Sequence, residues 1–296
     1  MEQRLENIIN LIIKYIFGLG VVFFALFPIY WMFTMALKPS IEWIPTQVHW
    51  WPWNPTLLNF MVLFIPKETI LDWGLVEASH AAMLTLPHET ATKSIINSLI
   101  LSTGGTLIAL FIGTTAAYAL SRYKAGSDYL FLTFRMLPPI AILMPIVIWF
   151  STIHLLDSLP GMLLLYGLFP MPFVVWLMRS FFDDIPPEVD EAALIDGATP
   201  PQVFTKVALP LVRGGLAVTA LFIFILNWSD LVVALTITHR HAITIPVQIG
   251  LFEADVGHLY GLMSALGIVA IIPTLGFGLA IQKYLVRGLT FGAIKG

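Results

Sequence analysis

The amino-acid sequence predicts an all-α polytopic membrane protein with six transmembrane helices, on three observations. Of 296 residues, 58% are hydrophobic and 11% charged, with a mean hydropathy of +0.86; a soluble domain carries about 25% charged residues to stay in water. Six apolar stretches reach the roughly 20 residues that a helix needs to cross about 30 Å of hydrocarbon. The lysines and arginines of the connecting loops gather on one side of those stretches, the bias that sets membrane orientation. The same composition excludes other classes. A formal charge of −3 leaves no basic excess for nucleic acid. The absence of cysteine removes thiol nucleophiles, disulfides and thiolate-bound metals together.

The expected spans lie near 12–36, 95–119, 129–153, 159–179, 211–235 and 260–283. Span two carries Ser102, Gly104, Gly105, Gly113, Ala116 and Ala117, small residues that let helix backbones approach where lipid supplies no hydrophobic drive. Span three contains Pro139 and Pro145, which remove backbone donors and favour a kink. The segment 55–66 is apolar, but it is too short to cross and is closed by proline at both ends. The N-terminal MEQRLENIIN lacks the basic excess of a cleaved signal, so span one reads as a retained helix.

With the N-terminus inside, one face of the membrane collects Arg4, Lys14, Arg122, Lys124, Arg179, Lys206, Arg213, Lys283, Arg287 and Lys295. The other has Lys38, Lys67, Lys93 and Arg240. Ten against four places both termini in the cytoplasm. The outward face then bears two loops. Loop 37–94 holds Trp43, Trp50, Trp51, Trp53 and Trp73, which read as an interfacial belt on a folded external cap. Loop 236–259 holds His239, Arg240, His241, Glu253, Asp255 and His258, at spacings that match no zinc signature.

Ionisable groups at membrane depth are few. Arg135 has the long stem to snorkel toward the cytoplasmic headgroups. Asp230, near the outward end of span five, is open to three readings: reaching the interface, bonding a neighbouring helix, or lining a polar pathway. No proton relay can be assembled from these residues and Lys14.

The cytoplasmic loop 181–210 has the densest local punctuation. Pro186 and Pro187 suit the start of a helix. Asp184, Glu188 and Asp190 complement its positive end. The helix runs through Glu191, Ala192, Ala193 and Ile195, and Gly197 can take positive φ at its end. Thr199 with Gln202 forms a capping box for a second helix, with Pro200 at its first position. Its apolar stripe is Val203, Phe204 and Val207, and Pro210 leads into span five. Two short helices joined at a glycine make a rigid protrusion, suited either to passing force to a soluble partner or to resting on headgroups.

EAALIDGATPPQVFTKVALP (191–210) resembles the signature of the membrane subunits of binding-protein-dependent ABC importers. That signature reads Glu-Ala-Ala, three residues, Gly, nine residues, an aliphatic, one residue, Leu-Pro. Its matching positions here are Glu191, Ala192, Ala193, Gly197, Val207, Leu209 and Pro210. IDGA (195–198) is similar to the carbohydrate branch, the maltose-type second permease. NSLILS (97–102), AAYALSRYK (116–124) and QKYLVRGLTFGAIKG (282–296) also resemble it. Two places depart from the family. Trp228-Ser229-Asp230 stands where Trp-Asn-Glu is frequent, so the acid is shortened and the amide is replaced. A longer segment, roughly 66–92, carries Asp72, Glu77, His80, His88 and Glu89 and reads as a docking or assembly feature.

The resemblance implies the fold of a type I ABC importer permease as a single domain over 1–296, in the cell (inner) membrane. It implies four kinds of neighbour: a second homologous permease, two cytoplasmic ATPase subunits, an external solute-binding protein and membrane lipid. Glu191 is then expected to bond a basic residue of the ATPase, with Gly197 setting the bend. Arg287, Gly292, Lys295 and Gly296 are expected in a tail that touches the ATPases, and loop 236–259 is expected to meet the binding protein. No cofactor, metal or catalytic residue is expected in this subunit. No G-x-x-x-x-G-K-[ST] run occurs in it.

Overall fold

A computed structural model of the chain describes residues 2–44, 47–74, 90–123, 139–254 and 257–291. In chain order its helices are α1 (Glu2–Ala36), α2 (Leu58–Phe64), α3 (Lys67–Asp72), α4 (Thr92–Tyr123) and α5 (Pro139–Thr152). Then come α6 (Leu159–Leu168), α7 (Met171–Asp183), α8 (Pro187–Ile195) and α9 (Pro200–Leu211). The last are α10 (Arg213–Trp228), α11 (Val232–Ile237), α12 (Ile245–Leu251) and α13 (Tyr260–Phe291). The strands described are two-residue β1 (Glu253–Ala254) and β2 (Gly257–His258), antiparallel, with Glu253 opposite His258. The predominantly helical architecture agrees with the sequence.

The chain divides into two compact units, Met1–Thr92 with Ile249–Ile271, and Lys93–Gln248 with Ile272–Gly296. In the first, the segment after α1 is a folded cap around two buried charges. Lys38, 1% exposed, donates from Nζ to the His49 carbonyl at 3.0 Å and lies 5.0 Å from the Trp31 ring centroid, a cation held by a carbonyl and a π face. The Glu42 carboxylate accepts from the backbone N–H of Trp53 at 3.0 Å and of Asn54 at 3.2 Å, which offsets the cost of burying it. Asn59 Nδ2 donates to the carbonyls of Ala36 and Lys38, each at 2.8 Å. Trp50, Trp51 and Trp53 stay exposed on this cap. The short 55–66 segment is the seven-residue α2, as its length requires. Residues 75–89 of the longer segment, with Glu77, His80, His88 and Glu89, lie outside the described residues.

In the second unit two apolar clusters line α4. One gathers Leu101, Leu143, Phe150, Met162, Leu165, Val233 and Ile237. The other gathers Ala109, Val174, Met178, Phe182, Val212 and Ile223. The small residues of α4 do what their composition predicts. Gly105 faces Tyr166, Gly113 faces Val174, and Gly167 of α6 faces Ile108, all close enough that a Cβ would collide.

The helices described leave the expected count of six spans unconfirmed. Among the described residues, four are long and apolar enough to cross: Asn10–Ala36, Thr92–Tyr123, Leu159–Asp183 and Tyr260–Gln282. The expected span 129–153 is described only from Pro139, as the 14-residue α5; the kink reading there bears on Pro145, inside α5, while Arg135 lies outside the described residues. The expected span 211–235 is broken twice. At Val212 the chain turns 79° between α9 and α10, and at Ser229–Leu231 it leaves the helix before α11. The second break was hidden because Leu231, Val232 and Val233 continue the apolar run.

Candidate functional site

The protruding loop forms as its punctuation dictates. Pro186 has extended geometry (φ −56°, ψ 134°) and Pro187 opens α8, where a missing N–H is harmless. Gly197 closes it at φ +89°, with Ala198 N–H donating to the Ala193 carbonyl at 3.0 Å. Gln202 Oε1 accepts from the Thr199 N–H at 2.9 Å, one arm of the capping box that starts α9. Inside α9, Val203–Ala208 is π-helical, a feature that no residue pattern announced. Such widened turns are rare and frequent at functional sites. Glu191 and Ala192 are exposed, Ala193, Val207 and Leu209 half-buried, and Pro210 exposed. Beside Glu191, Leu194 is 46% and Ile195 86% exposed. This end of the loop thus presents a carboxylate and two bare aliphatic side chains.

α8 is anchored through Asp190, which lies in its first turn as expected and has a second role besides helix-end electrostatics. Asp190 is buried, and its Oδ2 pairs with Arg122 Nε and accepts from the Tyr118 hydroxyl at 2.9 Å. Arg122 Nη1 donates to the Phe182 carbonyl at 3.2 Å. The Ser121 hydroxyl bonds Asp183. The Tyr118 ring lies 5.0 Å from Phe204 and 5.3 Å from Phe182. The end of α4 therefore holds α7, α8 and α9 through one polar knot wrapped in aromatic rings.

The start of α4 holds a second assembly. Asn97 Nδ2 donates to the His241 and Ile243 carbonyls, each at 3.0 Å, and Ser98 Oγ accepts from the Ile245 N–H at 2.8 Å. From α5–α6 comes Asp157, at φ +53°, a conformation uncommon outside glycine but more frequent for Asp. Its carboxylate accepts from the backbone N–H of His239, Arg240 and His241 at 3.0 Å and of Ala242 at 3.2 Å. Partial burial pushes its pKa up, but the four backbone donors outweigh this and hold it below the usual value. The side chains of His239, Arg240 and His241 are left exposed on a pinned turn. Sequence reasoning missed Asp157 altogether.

Asp230 sits in the break between α10 and α11. Its Oδ2 accepts from the Tyr166 hydroxyl at 3.1 Å and from the Ala234 N–H at 3.2 Å, so it caps α11 and bonds the neighbouring α6. An amide stands one position before the tryptophan, at Asn227. Asn227 Nδ2 donates to the Tyr166 carbonyl at 3.1 Å. Gly292, Lys295 and Gly296 lie outside the described residues.

Residues 105–291 match the family described as "Binding-protein-dependent transport system inner membrane component". Among curated proteins, the chain is 33% identical to the trehalose transport system permease protein SugB of Mycobacterium tuberculosis, covering 93% of this chain and 94% of that protein. It is 31% identical to the trehalose/maltose transport system permease protein MalG of Thermococcus litoralis, over 82% of this chain and 91% of the relative. Among solved structures, a chain of a bacterial ABC transporter involved in importing the acidic polysaccharide alginate superposes with a TM-score of 0.69. That match covers 96% of this chain and 98% of the other at 22% identity, a likeness of fold.

Proposed function

The chain belongs to the family of binding-protein-dependent transport system inner membrane components, a multi-pass transport component rather than an enzyme, and from that premise we propose that it is the permease subunit of an ATP-driven importer. Its cargo is a sugar, or a related polyol or oligosaccharide, passed from an external solute-binding protein into the cytoplasm. The names of the trehalose and maltose relatives support the cargo class. The solute path runs between this chain and a second homologous permease, two cytoplasmic ATPase subunits drive it, and both termini are cytoplasmic. A reporter active only in the cytoplasm is expected to work when fused at Gly296 and to be silent near Trp73. The reverse pattern overturns the orientation.

The coupling assignment rests on the exposed end of α8. Leu194 and Ile195 are bare beside Glu191 on a helix anchored through Asp190. Apolar side chains exposed on such a projection are available to a partner surface as well as to headgroups. We assign that surface to the ATPase, with Ala192 and Ala193 allowing close approach and Val207, Leu209 and Pro210 carrying the load toward α10. Glu191→Ala should not harm the helix, since Ala is the better helix former. It removes one half of a charge pair, a loss of about 2–5 kcal/mol where such a pair is buried at an interface. Gly197→Val places a β-branched residue at φ +89°, a strain of about 1–2 kcal/mol. Its Cβ would meet no other atom within 4 Å, so the effect is the bend itself. Both variants are expected to insert normally but to co-purify with less ATPase and lose binding-protein-stimulated hydrolysis, with a substitution at half-buried Lys67 as control. Full association and stimulation in both would leave this loop as a headgroup-resting element.

A further inference from the structure

We propose that Asp190, Arg122 and Tyr118 form the joint that carries motion from the protruding loop into α4, and are positioning residues of the transport cycle. The proposal rests on the coupling reading of that loop and adds the route inward from it. Asp190 belongs to α8, one residue before Glu191 and about 100° further round the helix, and is buried where Glu191 is exposed. A push received at Glu191 is therefore passed within the same helix turn through Asp190 to Arg122 and Tyr118, which stand one turn apart near the end of α4.

Three features suit the knot to this work. It is shielded, with the two ionic side chains 11% and 9% exposed, so the contact is screened much less than an exposed pair. It is branched, because the same guanidinium also donates to the Phe182 carbonyl of α7, so α4 and α7 are engaged together. It also keeps bonding capacity in reserve. Asp190 Oδ1 and Arg122 Nη2 are both buried with no hydrogen-bond partner among the described residues, although an arginine–carboxylate pair can close two parallel bonds. A displacement of α8 relative to α4 can then exchange one bond for another without releasing the grip. Phe204, beside the Tyr118 ring, brings the widened segment of α9 onto the same joint.

The test uses the assembled complex of permeases, ATPases and binding protein, with hydrolysis and uptake expressed per assembled complex. Asp190→Asn and Arg122→Ala are expected to keep co-purifying ATPase and basal hydrolysis, while binding-protein-stimulated hydrolysis and uptake fall at least tenfold. Tyr118→Phe, which keeps the ring and removes one hydroxyl, is expected to lower stimulation about two- to fivefold. Asp190→Glu should recover part of what Asp190→Asn loses. If the variants lower the amount of complex while each complex remains fully stimulated, the knot is only structural and the proposal is overturned. Full stimulation of Asp190→Asn and Tyr118→Phe overturns it as well. Loss of association in Glu191→Ala beside silent Asp190 and Tyr118 variants rejects the joint alone; silence in all of them rejects the coupling reading of the loop.

Discussion

Replacing Asp157 by Ala is expected to free the 239–242 turn and open Arg240 to trypsin. The carboxylate gathers four successive backbone N–H groups. Hydrogen bonds to charged groups contribute about 1.5–3 kcal/mol each. Three of these donors lie at exposed residues that water can reach once the carboxylate is gone, so the net loss should be nearer 2 kcal/mol than the sum. About 2 kcal/mol corresponds to a roughly 30-fold larger open population, and protease cutting in the fast-reclosing regime follows that population. The pH dependence has a definite sign. Because the folded pKa lies below the ordinary carboxylate value, about 3.9 in an unstructured chain, the stabilisation is complete above that value and is lost as pH falls through the folded one. Cutting by an acid-tolerant protease at the tip should therefore be flat from about pH 8 to 5 and rise only below about pH 4. In Asp157→Ala that acid-dependent rise should vanish. Wild-type resistance of Asp157→Ala to trypsin at neutral pH would show that Asn97 and Ser98 suffice to hold the turn.

Gly105→Leu is expected to be the most damaging single substitution in the helix packing. A Cβ at Gly105 would lie 2.5 Å from Tyr166 Cβ and 2.9 Å from its carbonyl carbon, and backbone on both sides cannot yield as a side-chain end does. Overpacking commonly costs about 1–3 kcal/mol; here the upper end or more is expected, read as a lowered unfolding midpoint of the detergent-purified complex. Gly214→Ala is the control, since a Cβ there meets nothing within 4 Å. Unchanged stability of Gly105→Leu would mean that α4 and α6 separate without cost. The substitution also displaces Tyr166 from Asp230, which invites a comparison. Asp230→Asn keeps an acceptor oxygen for Tyr166 and Ala234, so its uptake should stay within about threefold of wild type if the side chain only fastens the break. A much larger drop with the complex intact would assign Asp230 to the solute pathway.

What the sequence disclosed and what it hid follow a physical division. The α8–α9 turn was legible because its signals are local and chemically distinctive. Few residues besides glycine take φ +89° readily, as Gly197 does, and Thr199, Pro200 and Gln202 each have a preferred place at a helix start. The inner anchor was not legible. Glu188, Asp190 and Glu191 crowd into four positions, and composition does not say which acid turns inward. Asp157 was less visible still, since its partners lie 82 to 85 residues away and are backbone groups common to almost every residue. The widened turn at Val203–Ala208 was masked because Val203, Phe204 and Val207 read equally well as an ordinary helical stripe. The glycines of α4 showed close packing, but not the faces that meet them.

Asn97 and Arg122 lie on one continuous helix, about 37 Å apart at 1.5 Å per residue. One end of this rod grips the turn that Asp157 pins, and the other grips the loop that bears Glu191. A rod has no preferred direction. On the coupling proposed for α8, any factor by which a protein docked at the first end changes the affinity of the second end for its partner is also the factor by which the second changes the first. The reciprocity needs no second pathway and no separate signal for release.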